Sequence, residues 1–194
     1  MMRRYLLILV LILSEAIFAL PCSYGNGLEV TLRLPKQKFS LGETVHFRIE
    51  LRNISSRPLL VLPQPRIFPA DNFQFRGVTG GKQAEILRYG EQSLNYPRLA
   101  KEVSLLKANQ SIAHTIEAKV SSELPAFYND TRPGPYLIFP GSAIRLPGFG
   151  RYQVKAVFHL SPHHPLQAFL PPQEILWHGD SASEWVVVDF TPKA

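Results

Sequence analysis

A chain of 194 residues, 45% hydrophobic and 19% charged, has enough apolar material for a core and is too apolar for a disordered segment. Its formal charge of +6 is spread over single residues and pairs, which excludes the clustered basic stripe of a nucleic-acid binder. Seventeen prolines and twelve glycines break helices and punctuate short strands, so the composition points to an all-β chain.

The N-terminus reads first. Met1-Met2-Arg3-Arg4 is positive, Tyr5 to Leu13 is an uninterrupted apolar run, and small residues follow at Ala16, Ala19, Ser23 and Gly25. This is the layout of a secretory signal peptide. The run is far short of the roughly 20 apolar residues that span a bilayer, and Glu15 stops its extension. Cleavage is expected between Ala19 and Gly25, with Ser23-Tyr24-Gly25 a suitable small-x-small site. Residues 1–25 are then the leader, and 26–194 form a single extracytoplasmic domain, secreted or periplasmic. Cys22, the only cysteine, lies in the same window, and a lipid on it is the one membrane attachment the sequence offers. Pro21 stands where a lipoprotein signal wants a small residue, which weighs against that attachment. With no intrachain disulfide, a core of ~170 residues must hold unaided.

Strand patterns follow in order. Leu28 to Leu34 alternates apolar and polar and stops at Pro35. Val45, Phe47, Ile49 and Leu51 alternate with His46, Arg48, Glu50 and Arg52, a half-buried strand between a Leu41-Gly42-Glu43 turn and a second turn from Asn53 to Pro58. Pro58 to Leu62 is a short apolar strand, buried on both sides or running along an edge. Asn72 to Val78 and Gln83 to Tyr89 read as a hairpin about Thr79-Gly80-Gly81-Lys82. Glu91 to Leu106 reads as loop plus one short element, with an edge near Val103–Leu106. Ser111 to Ala118 is the next strand, with Ile112, His114, Ile116 and Ala118 on one side.

Ser121 to Gly148 holds five prolines and reads as a long ordered loop, with a short edge strand at Tyr136–Phe139. Such loops in a compact domain are often functional. Tyr152, Val154, Ala156, Phe158 and Leu160 then share one face of a long strand. A second proline-rich loop covers Ser161 to Gln173, and Glu184 to Phe190 closes the chain.

Three pieces carry a family resemblance: Phe39-Ser40-Leu41-Gly42-Glu43 leading into a strand that ends at Asn53, Gly148-Phe149-Gly150-Arg151-Tyr152-Gln153-Val154, and Trp177-His178-Gly179-Asp180-Ser181 before a valine-rich strand. Together they resemble the bacterial extracytoplasmic immunoglobulin-like sandwiches. In outline they are also similar to macroglobulin-type domains and to a small bacterial proteinase-inhibitor sandwich family. The resemblance covers residues 28–62 and 148–191. It implies an immunoglobulin-like β-sandwich of about seven to nine strands with long proline-rich loops, and it implies no activity, since such sandwiches host unrelated roles.

No catalytic constellation stands out. His159, His163, His164 and His178 fall close together in the chain, and a metal site needs three or four such ligands converging. His163 and His164 are adjacent, so on extended chain they point apart, and no His-Glu-x-x-His motif occurs. They read as surface histidines; a metal-binding or hydrolytic role is the remote alternative. Pro140-Gly141-Ser142-Ala143 is not a nucleophile elbow, and Gly77 to Gly81 lacks the ending of a phosphate loop. Asn53-Ile54-Ser55, Asn109-Gln110-Ser111 and Asn129-Asp130-Thr131 are glycan acceptors in a eukaryotic secreted protein and turn chemistry in a bacterial one, the reading favoured here.

The aromatics Phe127, Tyr128, Tyr136, Phe139 and Phe149 along the proline-rich loop are the candidate binding surface. The expectation is a non-enzymatic binding or structural module for a protein, peptide or glycan partner, without cofactor or metal. A proteinase inhibitor presenting a proline-rich loop is the alternative.

Overall fold

The computed structural model describes residues 27–63, 69–78, 83–89, 95–128, 130 and 132–193. The leader with Cys22, the Thr79–Lys82 turn and Asn129 lie outside the described residues. Among those described, no helix is long and apolar enough to cross a membrane.

The strands in chain order are β1 (Leu28–Arg33), β2 (Lys38–Ser40), β3 (Thr44–Asn53), β4 (Leu59–Val61), β5 (Phe73–Gly77), β6 (Glu85–Arg88), β7 (Ser104–Leu106), β8 (Ser111–Ser121), β9 (Tyr136–Phe139), β10 (Ser142–Arg145), β11 (Gly150–Leu160), β12 (Gly179–Ala182) and β13 (Val186–Thr191). One short helix, α1 (Tyr96–Leu99), interrupts them. The described residues thus hold more strands than the seven to nine expected from sequence, because several are only three or four residues long. Those short pieces carry too few residues to show a period.

Two sheets face each other. The first runs β1-β3-β8-β9-β10-β6. In the second, β11 pairs β5 along one edge and β13 then β12 along the other, and β13 pairs β2 in parallel. With β1, β3 and β8 in one sheet and β5, β11 and β13 in the other, this is the A-B-E over C-F-G order of an immunoglobulin sandwich. It departs from that order by the β9–β10 hairpin, which sits between β8 and β6. Pro140 and Gly141, the latter at φ +73°, make the tight return that a left-handed position allows glycine. The expected edge strand at Tyr136–Phe139 is therefore corrected, since β9 is paired on both sides, by β8 and by β10.

Alternation specifies the long strands. β3 buries Val45, Phe47, Ile49 and Leu51 and sends His46, Arg48 and Arg52 to solvent. A slip of one residue would reverse every side chain, so the register is strongly held. Phe47 on β3 meets Phe73 and Phe75 on β5 and Phe139 on β9, with centroids 4.5, 6.2 and 6.0 Å away. These rings join the two sheets at the centre of the core.

Turn chemistry sets the ends of β3. Gly42 sits at φ +92° and donates its N–H to Val120 O at 2.8 Å. The Glu43 carboxylate accepts from Lys36 Nζ at 2.9 Å and from the Ser40 N–H at 2.8 Å, and these bonds, Lys36 first, hold its pKa below the usual carboxylate value. At the other end Asn53 is fully buried. Its Nδ2 donates to Arg57 O (2.7 Å) and Leu106 O (2.9 Å), while its Oδ1 accepts from Ser55 N–H and Oγ–H. Asn109, at φ 63°, forms the turn between β7 and β8 and donates its N–H to Asn53 O. Both asparagines are thus committed to turns.

Tyr152 opens the inward face of β11. Its hydroxyl donates to Gly148 O at 2.6 Å and accepts from Gly148 N–H at 3.2 Å, a tyrosine corner of the immunoglobulin type. A small ribbon of β4 and β7 lies beside the sheets, and Trp177 N–H ties the late chain to it through Leu60 O at 2.7 Å.

Candidate functional site

The chemistry-bearing side chains gather where β6 forms the edge of the first sheet. Register places Tyr136 and Ile138 of β9, Ala143 and Arg145 of β10, and Glu85 and Leu87 of β6 on one face, away from the core. A bare sheet face would leave them wet. Instead Ala143 is fully buried and Tyr136 only 1% exposed, and the segment leading into β9 lies against Tyr136. Pro125, Pro133 and Pro135 shape that approach, outside any strand where a missing N–H would break a ladder.

Ion pairs and one hydroxyl fasten the segment. Arg132 Nη2 meets Asp130 Oδ2 at 2.7 Å, Arg132 Nη1 meets Glu85 Oε2 at 3.1 Å, and Arg145 Nη2 reaches the same oxygen at 2.6 Å. The Tyr136 hydroxyl donates to Arg132 O. The Arg132 hydrogen bonds hold the Asp130 carboxyl down to about 2. Arg132 and then Arg145 lower the pKa of Glu85 by the same means. A carboxylate whose folded pKa is depressed stabilises the fold above its unfolded value and loses that contribution as the pH falls through the folded one. For Asp130 the window runs from 3.8 down to about 2.

What the fastened segment presents is aromatic. Phe127 packs on Tyr89, the residue just past β6, with centroids 4.3 Å apart, and Tyr128 lies 4.9 Å from Phe127. Phe127 and Tyr89 are each 48% exposed. Tyr128 is half-buried, its hydroxyl has no hydrogen-bond partner among the described residues, and burial raises its pKa.

The five aromatics expected to form one surface therefore divide. Phe127 and Tyr128 come together as the platform. Tyr136 and Phe139 do not belong to it and are corrected to interior residues: Phe139, 3% exposed, is one of the four central phenylalanines, and Tyr136 lies under the segment. Phe149 is 38% exposed on the turn before β11 and makes no ring contact with the others. Tyr89, which completes the platform, escaped the sequence reading because it lies just past β6, 38 residues before Phe127.

The histidines are separately engaged. His159 Nδ1 lies 2.5 Å from Asp180 Oδ1 on the neighbouring strand. His164 Nδ1 accepts the Leu166 N–H of a short 3-10 turn, and burial lowers its pKa. His163 is exposed, and His178 Nδ1 donates to Leu176 O at 3.4 Å. Among the described residues, no three His, Cys, Asp or Glu side chains converge as metal ligands.

On the core side of β6, a cleft of about 430 Å³ separates β6 from the β5 edge of the second sheet. Phe75, Ile86 and Ile144 are among its apolar walls, and Arg76, Gln83 and Trp185 supply polar and aromatic ones.

No family model matches the chain, and no curated protein does. Among solved structures, the chain is similar to a β-glucosidase from Listeria innocua in complex with isofagomine, at 14% identity and a TM-score of 0.35. That match covers 90% of this chain and 17% of the glucosidase.

Proposed function

We propose that this chain is an exported, non-enzymatic binding module of the cell envelope that engages its ligand through the Tyr89–Phe127–Tyr128 platform. The observation that carries the reading is the pair of half-exposed rings in contact at 4.3 Å, Tyr89 beside β6 and Phe127 on a segment fastened by ion pairs. Rigid aromatics offer large contact area, and a segment already ordered loses little freedom on binding. The complementary ligand has a flat apolar face, such as a pyranose ring or a proline or aromatic side chain of an extended peptide. An inhibitory loop has to stand away from its scaffold, whereas this segment lies on the sheet, which favours the platform over the proteinase-inhibitor alternative.

An array of envelope glycans and extended peptides, probed with the mature protein and with Phe127→Ala, tests the reading. The wild type should bind at least one class of ligand, and Phe127→Ala should weaken it about tenfold, the equivalent of about 1.4 kcal/mol. Equal binding by a folded Phe127→Ala, or no binding by the wild type, would overturn it.

A further inference from the structure

We propose that the cleft between β5 and β6 is a second site, which takes the carboxylate of a ligand with a small apolar body. It rests on different residues from the platform.

Trp185 lies just before β13, and two cations sit against its indole. The Arg76 guanidinium carbon is 4.1 Å from the ring centroid and Lys155 Nζ is 4.9 Å from it. The two charges are therefore within one Debye length, ~10 Å at 0.1 M salt, where like charges repel. Neither has a carboxylate partner among the described residues. At the same corner Arg88, Arg132 and Arg145 each have one, as does Arg151 on β11. Cation–π contact stabilises each charge singly, and the repulsion between them is relieved by an anion.

The arginine is held ready for one. Its Nε donates to Gln153 Oε1 at 2.7 Å, which fixes the plane of the guanidinium and leaves its Nη donors for a carboxylate, the group that fork matches. Beside it Ala84 and Ile86, both only partly buried, line the cleft together with the core residues Phe73, Phe75 and Ile144, and Gln74 and Gln83 add amide donors and acceptors. Its volume of about 430 Å³ is within the usual range for a small-molecule site, ~300–1,000 Å³. Charge without an apolar body would leave the interior unfilled, and an apolar body without charge would leave Arg76 and Lys155 unrelieved. Both a free small acid and the C-terminus of a peptide carry the required pair.

Calorimetric titration of the mature protein separates these sources. The probes are N-acetylphenylalanine, its uncharged amide, a tripeptide ending in phenylalanine, and sodium sulfate. At least one of the two carboxylates should bind saturably, about tenfold or more tighter than the amide or sulfate, and more weakly at higher salt. Stronger binding by the tripeptide identifies a chain terminus, and equal binding a free acid. Arg76→Gln should weaken binding at least about tenfold, Arg76→Lys less, and Phe127→Ala should leave it unchanged. Gln83→Ala, which keeps both cations, provides a second variant should Arg76→Gln fail to fold, and it should weaken binding severalfold. Absence of saturable binding by both carboxylates overturns the proposal. So does equal binding of acid and amide, or undiminished binding in folded Arg76→Gln and Gln83→Ala.

Discussion

Phe47→Ala is expected to destabilise the fold by about 3–5 kcal/mol and to lower its melting temperature by roughly 10 °C. Phe47 is fully buried at the middle of β3, and its neighbours come from both sheets: Phe73 and Phe75 on β5, Phe139 on β9. Truncation removes one ring from a four-ring cluster whose other members are held by β5 and β9, one strand of each sheet. The vacancy cannot close without moving a sheet, which is the condition for the upper part of the range. Phe47→Leu, which fills most of the volume, should lose less than half as much. Urea unfolding of the two variants checks this, and a loss below about 1 kcal/mol for alanine would mean that the sheets do not meet at these rings.

Asn53→Ala should follow closely, with a loss of about 3 kcal/mol or more. The side chain makes four hydrogen bonds without access to water, and alanine takes a donor from Leu106 O and an acceptor from the Ser55 N–H, while Arg57 O keeps the Ser55 hydroxyl. Asn53→Asp is the sharper probe. Its volume is nearly unchanged, yet the donor aimed at two carbonyl oxygens becomes a carboxylate oxygen. The buried, repelled carboxylate must have a raised pKa in the folded state. Its penalty is therefore largest at neutral pH and shrinks as the pH falls toward the ordinary aspartate value. Urea unfolding at pH 7 and pH 4 should show the gap between Asn53→Asp and wild type narrowing. A gap independent of pH would mean that the side chain is wet.

Much of the sandwich was legible because its long strands are half-wet. β1, β3 and β11 each show one oily and one polar face, and the turn residues Gly42 and Glu43 announce where β3 begins. β9 gave no such sign. Tyr136 is covered by the fastened segment and Ile138 is partly buried, while Leu137 and Phe139 face the core, so both faces are apolar and the period vanishes. The proline density around it then suggested a loop with only a short edge strand at Tyr136–Phe139, although the prolines sit outside the strands and β9 is paired on both sides. The platform was half legible. Phe127 and Tyr128 stand together in the chain, but only the return of the segment across β6 brings Tyr89 to them, and no local spacing encodes that return. The cleft was not legible at all, since Arg76, Lys155 and Trp185 come from three segments joined only by strand register.

The central claim is that the segment before β9 is fastened to the sheet and thereby holds Phe127 against Tyr89. NMR cross-relaxation between those two rings, followed against pH, tests it most directly. The contact should be present at pH 7 and fade only in acid, below the ordinary carboxylate value, as Glu85 takes up a proton and releases Arg132. Absence of the contact at neutral pH, in a protein otherwise folded, would contradict the account.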